Sequence, residues 1–505
     1  MKTTADGAAA EVLKEGLAAD EETAKYASGG VELDPATSRK LYWKVCGRIL
    51  PFMLVTYFFQ SLDKGTIGLS SIMGIIDDAD LHGSQYNWLG TILYIGILAG
   101  EYPQNFLLQK LPVAKFLAAN VFLWGAVVAC SAACTNFRTL MVVRFFLGLF
   151  ESCVQPTFVI IQSMWFTREE QSVLTSLWYC QMGVSVMFGG LIAYGTSHYS
   201  GNLMYSWQLL FLVLDLATVV WAFAIAFFLP DNPMRAKCFT EDEKRLLIER
   251  VRKNETGIQN KQYKRYQVVE ALTDLLIWCS IAPILVANLV IGGLGVFSNL
   301  IISNFGFSTL QTQLLNIAQG AVTICVMVGS AWVSQKWKQT FYTMLLWNIF
   351  SRSSCQLWTI PPVIGTGIIL GVKPTPNRAG GMLIAFYCKQ FFLARSNMII
   401  SLVSRNVAGR TKKGVVLTGL FIGWAVGNLI APQIFQQADA PRYTTGFVVH
   451  LVVYCVYVCL VVMTRLLLMR RNRQKDAMAG NEGITHDLAF QDLTDKENPN
   501  FRYVY

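Results

Sequence analysis

Twelve apolar runs follow one another along the chain, at 49–72, 86–108, 114–134, 138–160, 173–195, 207–229, 277–302, 312–334, 357–372, 380–403, 414–435 and 446–468. Each approaches the roughly 20 residues that an α-helix needs to cross a bilayer core; the ninth is the weakest. The pattern predicts an all-α membrane protein with twelve transmembrane helices. The longest polar interval, 230–275, divides the runs six and six. It predicts an N-terminal six-helix bundle over 41–229, a central loop over 230–275 and a C-terminal six-helix bundle over 276–469, with disordered tails at 1–40 and 470–505. Within the central loop, Thr240 stands three residues before Glu243, a capping-box start, and Leu246, Leu247, Ile248 and Val251 form the apolar stripe of a surface helix.

Composition agrees with a bilayer environment. The 505 residues are 53% hydrophobic and 15% charged; soluble domains carry about 25% charged residues, so there are too few charges here to cover a water-soluble globule. The net charge of +10 is not a nucleic-acid signal, because no nucleic-acid-binding motif accompanies it. The basic residues instead cluster in alternate loops: Arg39, Lys40, Lys44 and Arg48 before the first run, Lys110 and Lys115 in loop 2–3, Arg168 in loop 4–5, Arg405, Arg410, Lys412 and Lys413 in loop 10–11, and Arg470, Arg471, Arg473 and Lys475 after the last. Loop 1–2 carries Asp77, Asp78 and Asp80. The bias puts both termini in the cytoplasm. The cysteines form no CxxC, and no metal-ligand spacing, phosphate loop or Ser-His-Asp pattern is present, so no enzyme, metal or cofactor is expected.

The informative residues are charges inside the spans, each of which costs about 2.5–3.5 kcal/mol at the centre of a membrane helix. Asp63 and Lys64 are adjacent in the first. Ile49–Leu62 alone would make only about 21 Å of helix, short of a core of roughly 30 Å, so the span must run past the pair. Neighbours on a helix point about 100° apart, so Asp63 and Lys64 each need a partner elsewhere. Arg144 and Glu151 in the fourth span are seven apart; they share a stripe without meeting, with Glu151 the deeper. Glu101 near the end of the second span suggests a pairing with Lys or Arg at the inner surface. Lys389 and Arg395 fall in the tenth span, Lys389 either lining a cavity or snorkelling. Gln181, Asn288, Asn299 and Asn428 are candidates for orienting a ligand or for bonding helices together.

The strings "LDKGTIG", "GEYPQN", "RFFLGLFES", "WFTREEQSVLTSLW", "FLPDNPMRAKCFTEDEKRLLIERVRKNETG" and "NVAGRTKKGVVLTGLFIGWAVGNLIAPQIF" resemble the fungal allantoate permease family, in the anion:cation symporter branch of the major facilitator superfamily. The resemblance covers about residues 40–470. It implies the major facilitator fold, with a site between two bundles, and proton symport of a small organic anion such as a ureido acid, a vitamin-like carboxylate or a dipeptide. It gives Asp63 and Glu151 the proton-coupling positions and Lys64 and Arg144 the basic ones; Gln181, Asn288 and Lys389 complete the expected substrate-binding set. Position 64 departs from the usual Arg. Lys keeps the charge and loses the planar two-pronged grip on a carboxylate. A second departure is "YTMLLWNIFSRSSCQLW" at 341–357, inserted between the eighth and ninth spans, either an interfacial segment or a gene-model error. The implied partners are the anion, protons and the lipid bilayer, for a monomer in the plasma membrane. Alternatives of other classes are an efflux transporter for a secondary metabolite and a non-transporting nutrient receptor.

Overall fold

The computed structural model describes residues 34–108, 110–199, 201, 203–234, 236–252, 264–337, 360–393, 399–400, 402–403, 405–479, 493–498 and 501–503. The inserted segment, Arg395 and most of both tails lie outside them. The described chain is helical. In order, α1 spans Pro35–Ile72, α2 Gln85–Leu108, α3 Val113–Ala129, α4 Phe137–Glu151, α5 Val154–Trp165, α6 Arg168–Thr196 and α7 Ser206–Phe228. Two short helices follow, α8 Glu241–Arg252 and α9 Arg265–Thr273, then α10 Leu275–Ser303, α11 Thr309–Trp337, α12 Ile360–Gly371, α13 Ala379–Tyr387, α14 Arg410–Ile434 and α15 Thr444–Ala479.

Eight of these helices are long and apolar enough to cross a membrane by length and composition. The other four apolar runs fall on α2, which carries Glu101, Pro103 and Gln104; on the broken pair α4–α5; and on α12 and α13, which border residues outside the described set. The expected single fourth helix is thus two. Pro156 has no N–H for the carbonyl of Ser152, and its ring crowds that carbonyl, so the ladder opens directly after Glu151. In α1 the expectation holds: the helix continues through Asp63 and Lys64 without interruption to Ile72.

Helices pack closely where glycine lets backbones meet. A Cβ on Gly148 of α4 would collide with the carbonyl of Leu93 in α2, and one on Gly96 of α2 with that of Phe145 in α4. Gly148→Val is therefore expected to force α2 and α4 apart, at a cost of about 1–3 kcal/mol of overpacking strain. A lower melting temperature in detergent checks this; an unchanged one would contradict it.

The two faces of the molecule differ. On the face opposite the termini, polar contacts cross between the halves. Tyr86 Oη donates to the carbonyls of Ile67 (3.1 Å) and Val296 (3.0 Å), Asn87 Nδ2 to Phe435 (2.5 Å) and Thr91 Oγ1 to Leu429 (3.1 Å). Gln433 Nε2 donates to Thr91 Oγ1 at 2.9 Å, and Gln313 Nε2 to Ser197 Oγ at 2.7 Å. On the terminal face the ion pairs among the described residues stay within each half. Thr240 and Glu243 form the expected capping box, and Glu243 also pairs with Lys44 at 2.6 Å. Arg250 of α8 pairs with Glu170. The α8 helix is thereby fastened to the N-terminal half, and α9 to the other: Lys412 Nζ lies 2.9 Å from Glu270 and 3.6 Å from Asp274.

The C-terminal tail corrects an expectation. Helix α15 runs to Ala479, and residues 493–498 and 501–503 dock on this face instead of being disordered. Asp495, 1% exposed, sits 2.7 Å from Lys412, Tyr503 Oη donates to Asp495, and Lys496 lies 3.2 Å from Asp274. Burial alone would raise the pKa of Asp274; the Arg471 guanidinium, the N–H of Leu276 and Lys496 outweigh it and hold the carboxyl at about 2. A depressed carboxyl stabilises the docked state above its ordinary pKa of 3.8 and loses that contribution as pH falls through about 2. Hydrogen exchange of the 493–503 segment is expected to stay slow from neutral pH down to about 4 and to accelerate below it; release near pH 6 would refute the assignment.

Candidate functional site: a charged cluster between the two halves

A narrow cleft runs from Lys64 and Glu151 toward the terminal face. It is lined from α1 by Gln60 and Lys64, from α2 by Glu101, from α4–α5 by Glu151 and Gln155, and from α14 by Trp424. Its cavity volume is about 30 Å³. That is room for a water or two, so an organic ligand has to widen it.

The adjacent pair in α1 finds its partners as the helix geometry requires. Asp63, fully buried, accepts a hydrogen bond from Trp124 Nε1 of α3 at 2.5 Å. Lys64 turns the other way, 2.6 Å from Glu151 Oε1; its side chain is 22% exposed, while that of Glu151 is fully buried. The same ammonium lies 5.5 Å from the ring centre of Trp424. Lys64 is thus the cation that faces the cleft, touched by both halves. Arg144 and Glu151 share a stripe without pairing: Arg144 Nη2 donates to Thr66 Oγ1 at 3.4 Å, and its guanidinium stands over Phe211 at 5.7 Å.

The remaining candidates fall elsewhere. Lys389 neither lines the cleft nor snorkels. It is 1% exposed inside the C-terminal half, 3.2 Å from His450 Nδ1 and 4.1 Å from the Phe447 ring centre. Aromatic faces and an imidazole surround its amino group, and no carboxylate contacts it among the described residues. Asn288 accepts from Asn428 Nδ2 at 3.1 Å, bonding α10 to α14, and Asn299 accepts from Asn316 at 2.9 Å, bonding α10 to α11; all are helix-bonding groups here. Gln181 is half-buried on α6, away from the cleft. Glu101 corrects its expectation: it accepts from Asn105 Nδ2 at 3.0 Å and lines the cleft, with no Lys or Arg contacting it among the described residues.

Sequence reasoning missed Asp215. It is fully buried on α7, and neither carboxylate oxygen accepts a hydrogen bond from a described residue. Its signal was available: one acid in the run "LVLDLATVV". The two indoles, Trp124 and Trp424, carried no signal, since aromatic residues are common in apolar spans.

The comparisons with known proteins bear on family and fold. The family model described as Major Facilitator Superfamily matches residues 53–432. The chain is 34% identical to an uncharacterised transporter of Schizosaccharomyces pombe, over 96% of this chain and 90% of that one. It is 33% identical to the thiamine pathway transporter THI73 and 31% identical to the allantoate permease of Saccharomyces cerevisiae, over 94% of this chain and 88% of each. In fold it is similar to a bacterial homologue of the human lysosomal transporter Spinster, solved inward-facing and unoccupied, with a TM-score of 0.61 at 12% identity, covering 83% of this chain and 95% of that one. The chain belongs to the Major Facilitator Superfamily as a multi-pass membrane transporter, with the allantoate permease of yeast among its relatives.

Proposed function

We propose that this transporter takes up a small organic anion by proton symport through alternating access, with Lys64 as the anion-binding cation and Asp63 and Glu151 as proton carriers. The observation that carries the reading is the Lys64–Glu151 pair at the head of the cleft. In a dry site an ammonium keeps a counter-charge. A proton on Glu151 removes that counter-charge, and a substrate carboxylate takes its place on Lys64. The occupied site is again neutral, which lets it pass through a closed state. Trp424 contacts Lys64 from the opposite half, so occupancy at Lys64 is felt across the interface. With both termini in the cytoplasm, as the basic loops indicate, the cleft faces inward and the hydrogen-bonded face is the outer gate. The relatives named for allantoate and for the thiamine pathway support a small organic substrate; the plasma membrane and a monomeric state complete the reading.

The test is a screen of radiolabelled allantoate, nicotinate and a dipeptide in cells lacking their own uptake systems. Uptake is expected to rise as the outer medium is acidified and to collapse with a protonophore. Retention that increases when a protonophore is added would instead assign efflux, and charge-neutral variants at Asp63, Lys64, Arg144 and Glu151 that leave signalling intact would assign a receptor.

A further inference from the structure

The buried charges around Arg144 do not balance. Among the described residues near Arg144, three buried acids, Asp63, Glu151 and Asp215, stand against two bases, Lys64 and Arg144. Lys64 is taken by Glu151. That leaves one guanidinium for two carboxylates, and it forms an ion pair with neither. Its position is a turn from both. Thr66, which it bonds, follows Asp63 by three residues on α1, and Phe211, over which it stands, precedes Asp215 by four on α7. Positions three and four apart share a helix face. Arg144 and the two acids are near enough for each to feel the others' charge. Among the described residues Asp63 has one donor, Trp124, and a second oxygen without any, and Asp215 has none on either oxygen.

The surroundings supply nothing else. Leu62 and Leu69 of α1, Ala193 of α6, and Leu210 and Leu214 of α7 form a separate apolar cluster beside the two acids. Helix α3 contributes Trp124, already bonded to Asp63. Helix α6 has no acid or base between Gln171 and Thr196, and its Glu170 pairs with Arg250 at the terminal face. A bare carboxylate in such a place is neutralised by a cation or by a proton. We infer that Asp215 is a third proton-holding carboxyl of the transport cycle. It shares with Asp63 the charge of Arg144, so that one acid of the two carries a proton whenever the guanidinium is committed to the other. In the conformation seen here Asp215 holds the proton. Before the site reopens outward, Arg144 shifts from Thr66 toward Asp215, which gives up its proton through the inward-facing cleft and takes another from the outer side when the site opens there.

The inference rests on the symport reading for its place in the cycle, but the protonated carboxyl is testable by itself. The full-length wild-type protein, reconstituted in phosphatidylcholine vesicles at pH 7, is treated with the apolar reagent dicyclohexylcarbodiimide, which adds to protonated carboxyls, and the adducts are located by peptide mass spectrometry. An adduct on Asp215, with the exposed Asp80 unmodified, is expected; no adduct on Asp215 overturns the inference, whatever the transport assays show. A second measurement reads the coupling. With the membrane voltage held at zero, the limiting accumulation of the anion that scores in the uptake screen rises tenfold per pH unit for each proton moved. Asp215→Asn is expected to lower that accumulation about tenfold per pH unit, and Asp215→Glu to restore it. A wild type that accumulates and an Asp215→Asn variant with the same slope would refute the role of Asp215 alone. A wild type with no slope would refute symport.

Discussion

Asparagine in place of Asp63 is expected to abolish accumulation against a gradient while leaving substrate exchange within about tenfold of wild type, the size of a perturbation of about 1.4 kcal/mol. The substitution is nearly isosteric. An amide oxygen still accepts the Trp124 Nε1–H that Asp63 accepts at 2.5 Å, so the contact between α1 and α3 survives. What is lost is the ability to alternate between a charge and a proton. At a pH difference of two units each proton moved is worth about 2.7 kcal/mol, or about 100-fold in accumulation; without the alternation at residue 63 no proton movement is tied to reorientation of the site, and the variant should level off near equal concentrations. Exchange needs only that the loaded site reorient, which a permanently neutral residue 63 permits. Uptake against a gradient that persisted in this variant would remove Asp63 from the coupling scheme. Preloaded vesicles diluted into labelled anion, with and without a pH difference, separate the two activities.

Replacing Lys64 with glutamine is expected to have an equally large effect by another route. Glu151 is fully buried, and Lys64 is its ion-pair partner. Removing one member of a buried pair leaves an uncompensated charge, at a cost of about 3–5 kcal/mol. The variant should therefore melt lower as well as lose uptake by at least about 100-fold, the equivalent of about 2.7 kcal/mol. The double variant Lys64→Gln/Glu151→Gln separates the two consequences. It removes both charges and should recover most of the thermal stability, yet stay inactive because no cation faces the cleft. Lys64→Arg should remain active with a changed ranking of carboxylates, since a guanidinium grips two oxygens where an ammonium meets one. Full uptake by Lys64→Gln would show that the anion binds elsewhere.

Much of this site was legible along the chain. The length of helix needed to cross a bilayer keeps Asp63 and Lys64 inside the first span, and the angle between neighbours sends them to different partners; α1 runs unbroken through the pair, and the partners are Trp124 and Glu151. The seven-residue spacing that keeps Arg144 and Glu151 on one stripe but apart also holds. The identity of the partners was not legible, because helix periodicity fixes the direction of a side chain and says nothing of which helix stands opposite. Lys389 shows the same limit. A lysine in an apolar run reads equally as cavity-lining or as snorkelling, and its packing among Phe447 and His450 depends on how the turn after α13, Cys388–Phe392, meets α15. The tail read as disordered because its composition is polar; its residues 493–498 and 501–503 dock because α9, α14 and α15 bring Glu270, Lys412, Arg471 and Lys475 to one place.

The sequence by itself determined the solvent, the helices and the charges that must be compensated. Hydrophobic length and the cost of an intramembrane charge are local quantities, set by about 20 residues at a time. Only the tertiary structure decided the count of charges in the cluster. Asp215 belongs to it because α7 packs against α1 and α3, so that a solitary acid in an apolar run lies beside Asp63 and Arg144. Electrostatic balance is a property of groups that are neighbours in space, and in a low-dielectric interior each neighbour changes what the others must hold.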